Sequence, residues 1–269
     1  MNKWVNKSIK LADSNGYLDK LMDVYPINLT LTRSIGTTEE NKIKKAFSKR
    51  NSKELISVLL NLERFPIDDA YIGFLRKDKN ALIKNPKTVK RIGDRLLKIG
   101  LKEIIIGASR AKAPSRQVGQ MFRKWLYGLG YPVLNETDFL KNHKIAILEG
   151  GDTALANFAK KKLSYSGKKG LDMVLKVRDK FIIGEAKFIT TSGGTQDKSF
   201  REGISFIKRK NKNINRIAIL DGVVWLVSKK KRKNKKLSLY NTVINLGNNK
   251  IALSALLLKD FIREENKKN

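Results

Sequence analysis

Apolar positions recur at helical spacing through the first hundred residues. In TTEENKIKKAF, Ile43 and Phe47 fall on one stripe, and Thr37 with Glu40 has the spacing of a capping box. SKELISVLLNLERFP places Leu55, Val58, Leu59 and Leu62 on one face, behind a capping Ser52 and before a terminating Pro66. NPKTVKRIGDRLLKIG opens on proline, closes at Gly100 and aligns Val89, Ile92, Leu96 and Leu97. Three helices are predicted there. The pattern then changes. LKEIIIGAS, from Leu101, predicts the first buried strand. A helix follows, marked by Pro114 and Ser115 at its start and by Gly128 and Gly130 at its end; it buries Val118, Met121, Phe122, Trp125 and Leu126. KIAIL predicts a strand as far as Leu148. Beyond Gly150 and Gly151, Asp152 is expected to cap a helix whose inner stripe is Leu155, Phe158 and Ala159. Strands at 172–177 and 181–188 flank a short Arg-Asp-Lys segment. A helix in TQDKSFREGISFIKR turns Phe200, Ile204 and Ile207 inward, and further strands are expected at 217–227 and 237–246. The chain thus reads as a mainly helical region, 1–100, followed by an α/β region, 101–269.

Charge narrows the choice of partner. Lys and Arg number 57 against 25 acids in 269 residues, a net charge of +32 at pH 7, while 41% hydrophobic residues suffice for a core. Such an excess calls for a polyanion, most economically nucleic acid, whose condensed counterions are released when phosphates are neutralised. A membrane surface or ribosomal RNA would serve on charge alone, and part of the lysine accompanies abundant Asn and Ile, as expected of an AT-rich source. The chain has no cysteine, which removes disulfide and thiolate chemistry and fits a reducing cytoplasm. Its single histidine, His143, excludes Cys/His zinc sites and is expected to be a solvated residue of a polar turn. There is no apolar run near the ~20 residues of a membrane span and no hydrophobic signal core, so a soluble intracellular protein is expected. The absence of a GxxxxGK[ST] loop argues against an ATP-driven helicase or a translocating nuclease in this chain alone.

One strand breaks its own apolar pattern. Glu185 and Lys187 stand in the middle of FIIGEAKF, and alternation places both on one face, with Ala186 on the other. If Arg178-Asp179 forms a two-residue turn, Val177 pairs with Lys180 and, counting outward, Asp172 falls opposite Glu185 at about 5 Å. Two carboxylates that close repel unless a cation lies between them, and hard oxygen donors suit Mg2+. Such a site can polarise a phosphodiester and activate water, with Lys187 orienting that water or neutralising the developing charge. The alternative is an Asp–Lys–Glu salt-bridge cluster on a solvated sheet face; the flanking glycines and aliphatics count against it. Glu149, at a strand–helix junction, is either a turn residue or a supplementary metal ligand. For DNA contact the candidates are Arg110 and Lys112 in a basic loop, then Arg116, Gln117 and Gln120 on the polar face of the following helix, which also carries Arg123. A helix start behind a basic loop can grip phosphate, and Arg or Gln can pair with base edges, although an ordinary solvated face has the same composition. The run KKKRKNKK from Lys229 is either a hairpin tip or a phosphate clamp.

Leu171-Asp172, followed after 12 residues by Glu185-Ala186-Lys187, resembles the PD-(D/E)xK nuclease signature, with Leu171 in place of the usual proline. GLDMVLKV and FIIGEAKFITTSGGTQ together are similar to type II restriction endonucleases, in which a Gly-Gly loop and Gln follow the catalytic strand. RIAILDGVVWLV is similar to a later core strand of that group. The resemblance covers residues 144 to 228. It implies an α/β fold with a mixed central sheet flanked by helices, a restriction-endonuclease-like core on which the helical region packs and helps to contact DNA. It implies Asp172, Glu185 and the Ala186 carbonyl as Mg2+ ligands, Lys187 as the catalytic lysine, and Gln196, Lys198 and Arg201 beside the cleft. The expected function is Mg2+-dependent, sequence-specific hydrolysis of double-stranded DNA by a homodimer, in a prokaryotic cytoplasm and beside a separate methyltransferase. A repair or junction-resolving nuclease with the same core, or a non-catalytic basic nucleic-acid-binding protein, stands as the alternative.

Overall fold

The computed structural model describes residues 1–26, 34–78, 80–110, 117–191, 193–209, 214–226 and 239–268. It forms two compact units: Met1–Ile27 with Ala113–Asn269, and Asn28–Lys112. The division differs from the expected boundary at residue 100. The first residues join the α/β unit, and the segment after Leu101 joins the helical one.

Helices α1 (Lys3–Ala12) and α2 (Tyr17–Val24) open the chain. Asn2 caps α1 by accepting from the Trp4 and Val5 amides, while its own amide donates to the carbonyls of Gly247 and Lys250 at 3.0 and 2.7 Å. Trp4 meets Phe261 edge to face. These contacts join the two ends of the chain, which is why the N-terminal helices belong to the α/β unit.

The helical unit contains α3 (Thr37–Ser48), α4 (Ser52–Leu60), α5 (Ile72–Lys77), α6 (Ala81–Lys84) and α7 (Pro86–Ser109). Its separate core includes Ile43, Leu55, Ile56, Leu59, Ile92 and Leu96. The caps lie one residue before those expected: Gly36 precedes α3, and Asn51 rather than Ser52 caps α4, accepting from the Glu54 amide. The larger correction is at Leu101, where α7 kinks at Gly100 (φ 87°, ψ 161°) and continues as helix. Three consecutive isoleucines favour a strand locally. The residues that become buried, however, are Ile104, Gly107 and Ala108, a helical stripe. A Cβ at Gly107 would stand 2.4 Å from the Pro66 carbonyl oxygen, so the glycine admits a close backbone approach that only the folded unit specifies.

The α/β unit continues with α8 (Val118–Tyr127), β1 (Val133–Leu134), α9 (Glu136–Lys141), β2 (Ala146–Leu148), α10 (Asp152–Leu163), β3 (Met173–Val177), β4 (Lys180–Ile189), α11 (Gly194–Lys208) and β5 (Ile214–Gly222). It closes with α12 (Leu239–Ile244), β6 (Ile251–Leu253) and α13 (Leu258–Lys267). The six strands lie in the order β1-β2-β3-β4-β5-β6, antiparallel across β2–β3–β4 and parallel elsewhere. This is the mixed sheet flanked by helices that was expected. Three local expectations fail. The strand expected at 217–227 ends at Gly222, where a 3-10 turn, Val223–Trp225, takes over. No strand spans 237–246, because α12 occupies its described part and β6 takes the sheet edge. Asp152 is the first residue of α10 and makes no side-chain cap; Gly151 holds the cap position.

Candidate active site

The β3–β4 hairpin turns through Arg178 (φ 54°) and Asp179, with Val177 opposite Lys180 and Met173 opposite Gly184. Strand β3 therefore covers only the first half of β4. From Glu185 onward β4 is paired on its β5 side alone, and the opposite edge opens where β3 begins. Asp172 fills that opening. Its N–H donates to the Gly184 carbonyl at 3.1 Å, and its Oδ2 accepts from the Ala186 amide at 2.9 Å. Asp172 lies one residue beyond the last strand pair, Met173–Gly184, and is held there by these two bonds rather than by strand pairing.

Lys187 shares the Glu185 face, its Nζ 3.3 Å from Glu185 Oε2. Helix α11 lies over this face: a Cβ at Gly203 would be 3.7 Å from Lys187 Cγ. Glu185 is 5% exposed, and its Oε2 has the lysine ion pair but no hydrogen bond. Burial pushes both carboxyls above the usual range. For each, Lys187 is the chief opposing influence; for Asp172 the Ala186 amide and Arg123 also oppose, whereas Asp172 adds repulsion at Glu185.

Helix α8 closes the other side. A Cβ at Gly119 would be 2.3 Å from Asp172 Oδ1, so only glycine leaves room for that oxygen. One turn on, Arg123 Nη1 donates to the Gly150 carbonyl at 3.2 Å, and the Tyr127 hydroxyl bonds both the amide and the carbonyl of Gly150. Leu171 donates in turn to the Asp152 carbonyl at 3.0 Å. The β2–α10 turn is thereby fastened both to α8 and to the residue preceding Asp172. Two hard carboxylates, a buried Glu185 Oε2 with no hydrogen bond among the described residues and the glycine cradle fit a small divalent cation, which Asp172 and Glu185 could hold.

Glu149 does not join them. It lies one residue past the end of β2 and is exposed. Among the described residues no three Asp, Glu or His side chains form a metal-binding group. Gln117 sits at the start of α8, and Gln120, exposed, directly follows Gly119. Lys198 and Arg201 are exposed on α11; Gln196, half-buried, has its Oε1 without a hydrogen-bond partner among the described residues. Arg110 is exposed at the end of α7, in the helical unit. Lys112, Arg116 and the basic run 229–236 lie outside the described residues. His143 is exposed and meets Asp179 at 3.1 Å, as expected of a solvated loop.

Three features escaped the sequence reading. A cavity of about 300 Å³ adjoins Glu185, lined also by Tyr165, Lys168, Lys169, Glu202, Phe206 and Arg209. Arg216 is buried on β5 near two of these residues. Asp221, fully buried on the same strand, accepts from Tyr17, Tyr25, Ser254 and the Ala255 amide. The signal for the last two was present: each is a charge inside an apolar strand, as Glu185 is.

The family model described as Tsp45I type II restriction enzyme matches residues 2–264 of the chain. No curated protein and no solved structure matches it.

Proposed function

We propose, from the premise that this chain belongs to the Tsp45I type II restriction enzyme family, that Asp172, Glu185 and Lys187 cut its DNA. Membership makes the chain a site-specific deoxyribonuclease. The observation carrying the assignment is the Asp172 Oδ2–Ala186 amide bond at 2.9 Å, which seats one carboxylate across from Glu185 at the open edge of β4.

Asp172, Glu185 and the Ala186 carbonyl would hold Mg2+, which when bound supplies a Lewis acid for the phosphate and a water of lowered pKa. The chain does the positioning. The Ala186 amide fixes the Asp172 carboxylate, and Gly119 keeps Oδ1 clear of side-chain atoms. Glu185 anchors the Lys187 ammonium beside the carboxylates, where it can orient the attacking water and meet charge that develops on the phosphate. Burial keeps bulk water from screening that charge. In this reading the enzyme acts as a homodimer, one site per strand of a symmetric target, in a prokaryotic cytoplasm beside a separate methyltransferase.

The test is to replace the acids singly. Asp172→Asn and Glu185→Gln should abolish plasmid cleavage in Mg2+ while leaving the unfolding transition and metal-free DNA binding near those of the parent. Either variant cutting at close to the parental rate sinks the assignment.

A further inference from the structure

We propose that the cavity beside Glu185 seats a backbone phosphate of the DNA, next to the one that is cut, with Arg209 in its lining and the buried Arg216 guanidinium as a fixed charge behind its Tyr165 and Phe206 walls. The inference rests on the active-site reading above, because Glu185 lines both places.

Arg216 lies opposite Ile183 in the β4–β5 register, two residues from the partner of Glu185 and on the same face of the sheet. It is 7% exposed, and among the described residues its buried Nε and Nη1 have no hydrogen-bond partner. Tyr165 and Phe206 both pack against the guanidinium, their ring centroids 5.2 and 5.3 Å from Cζ and in edge contact with each other. Aromatic rings attract a cation but accept no conventional hydrogen bond. A buried guanidinium left in this condition is destabilising unless an anion completes it.

The cavity is bounded by the same two aromatic residues, and it is cationic. Lys168, Lys169 and Arg209 line it; of its two acids, Glu202 is paired with Lys169 at 2.5 Å, and Glu185 belongs to the carboxylate pair. A second metal ion is therefore the wrong ligand. A stacked base is also disfavoured, since Tyr165 and Phe206 are each 4% exposed and present little ring face. A phosphate suits both the surplus of cations and the planar donor fork of arginine.

The experiment uses the full chain carrying Asp172→Asn, without divalent metal, on a duplex containing its cut site. Methylphosphonate linkages, which remove one phosphate charge at a time, are placed singly around that site. In this background one linkage next to the cut should weaken binding about 10-fold, the loss expected for a charged hydrogen bond. Adding Arg216→Met should weaken the unmodified duplex by a similar factor, make that linkage silent, and reduce the slope of log K against log[salt] by about 0.9. If Arg216→Met keeps the full sensitivity at every linkage, the phosphate seat is wrong. Should that variant fail to fold, Arg209→Gln decides: it is expected to blunt the same linkage, and an unchanged scan overturns the proposal. Cleavage by the Asp172→Asn protein in Mg2+ would instead defeat the active-site reading, an outcome separate from the linkage scan.

Discussion

Lys187 and Gly119 show how single residues set this site. The lysine ammonium, 3.3 Å from Glu185 Oε2, is tied to a carboxylate, and in a metal's inner shell it would repel the cation. Its contribution is expected in the chemical step. Lys187→Ala should leave DNA affinity within a few-fold of the parent and reduce the single-turnover rate by roughly 10²–10⁴. Lys187→Arg should recover little, because a broad planar guanidinium cannot occupy the same point. Full recovery of Lys187→Ala merely by raising Mg2+ would show that the lysine serves metal binding instead. Gly119 makes the complementary case through an absent side chain. Alanine is the better helix former by about 1 kcal/mol, yet its Cβ would come within 2.3 Å of Asp172 Oδ1. Gly119→Ala is expected to lower cleavage more than tenfold with little change in melting temperature. Unimpaired cleavage would mean that α8 does not constrain Asp172.

At the scale of elements, the β3–β4 hairpin and helix α7 make opposite points. The hairpin follows from local rules: period-2 alternation, a two-residue turn and a register counted outward from it. Helix α7 does not. Its second half reads as a strand from the isoleucines, and short apolar runs are ambiguous between the two states. The fold resolves this by kinking the chain at Gly100, in a backbone region that side-chain-bearing residues rarely adopt. Gly100→Ala should cost about 1–3 kcal/mol, read from denaturant unfolding of the purified protein. A cost below about half a kcal/mol would mean that the kink can move without penalty. The stagger between β3 and β4 is the other decision made at this scale, since it leaves the edge that Asp172 completes.

Across the whole molecule, Asp221 links parts of the chain that are distant in sequence. Tyr17 and Tyr25 reach it from the N-terminal segment, and Ser254 and the Ala255 amide from beyond β6. Complete burial pushes its carboxyl up to about 6, with the four hydrogen bonds opposing. A folded-state pKa above the unfolded one means that the folded protein holds the proton more tightly. The associated stability is full below about pH 4, is lost as pH rises through about 6, and does not change further above that. The displacement corresponds to roughly 3 kcal/mol. The unfolding free energy of the parent minus that of Asp221→Asn should therefore fall between pH 4.5 and pH 7.5. A difference independent of pH would show that Asp221 is ionised throughout. The +32 charge acts at this scale too: it brings DNA to the protein but does not select the cut site.

The mixed α/β core was what the nuclease resemblance implied; the sequence alone determined a polyanionic partner and the placing of Asp172, Glu185 and Lys187 about one hairpin. These depend on net charge, on alternation along a strand and on a short turn, all of which act within a few residues. Charge within an apolar strand was also enough to mark Arg216 and Asp221, but not to say what surrounds them. Only the tertiary structure put α1 and α2 with the far end of the chain, turned 101–109 into helix and laid Gly119 against Asp172. Each of these depends on which surfaces pack together, through burial and close backbone approach between segments tens to hundreds of residues apart. No local pattern records such a pairing, and packing can override local preference wherever that preference is weak.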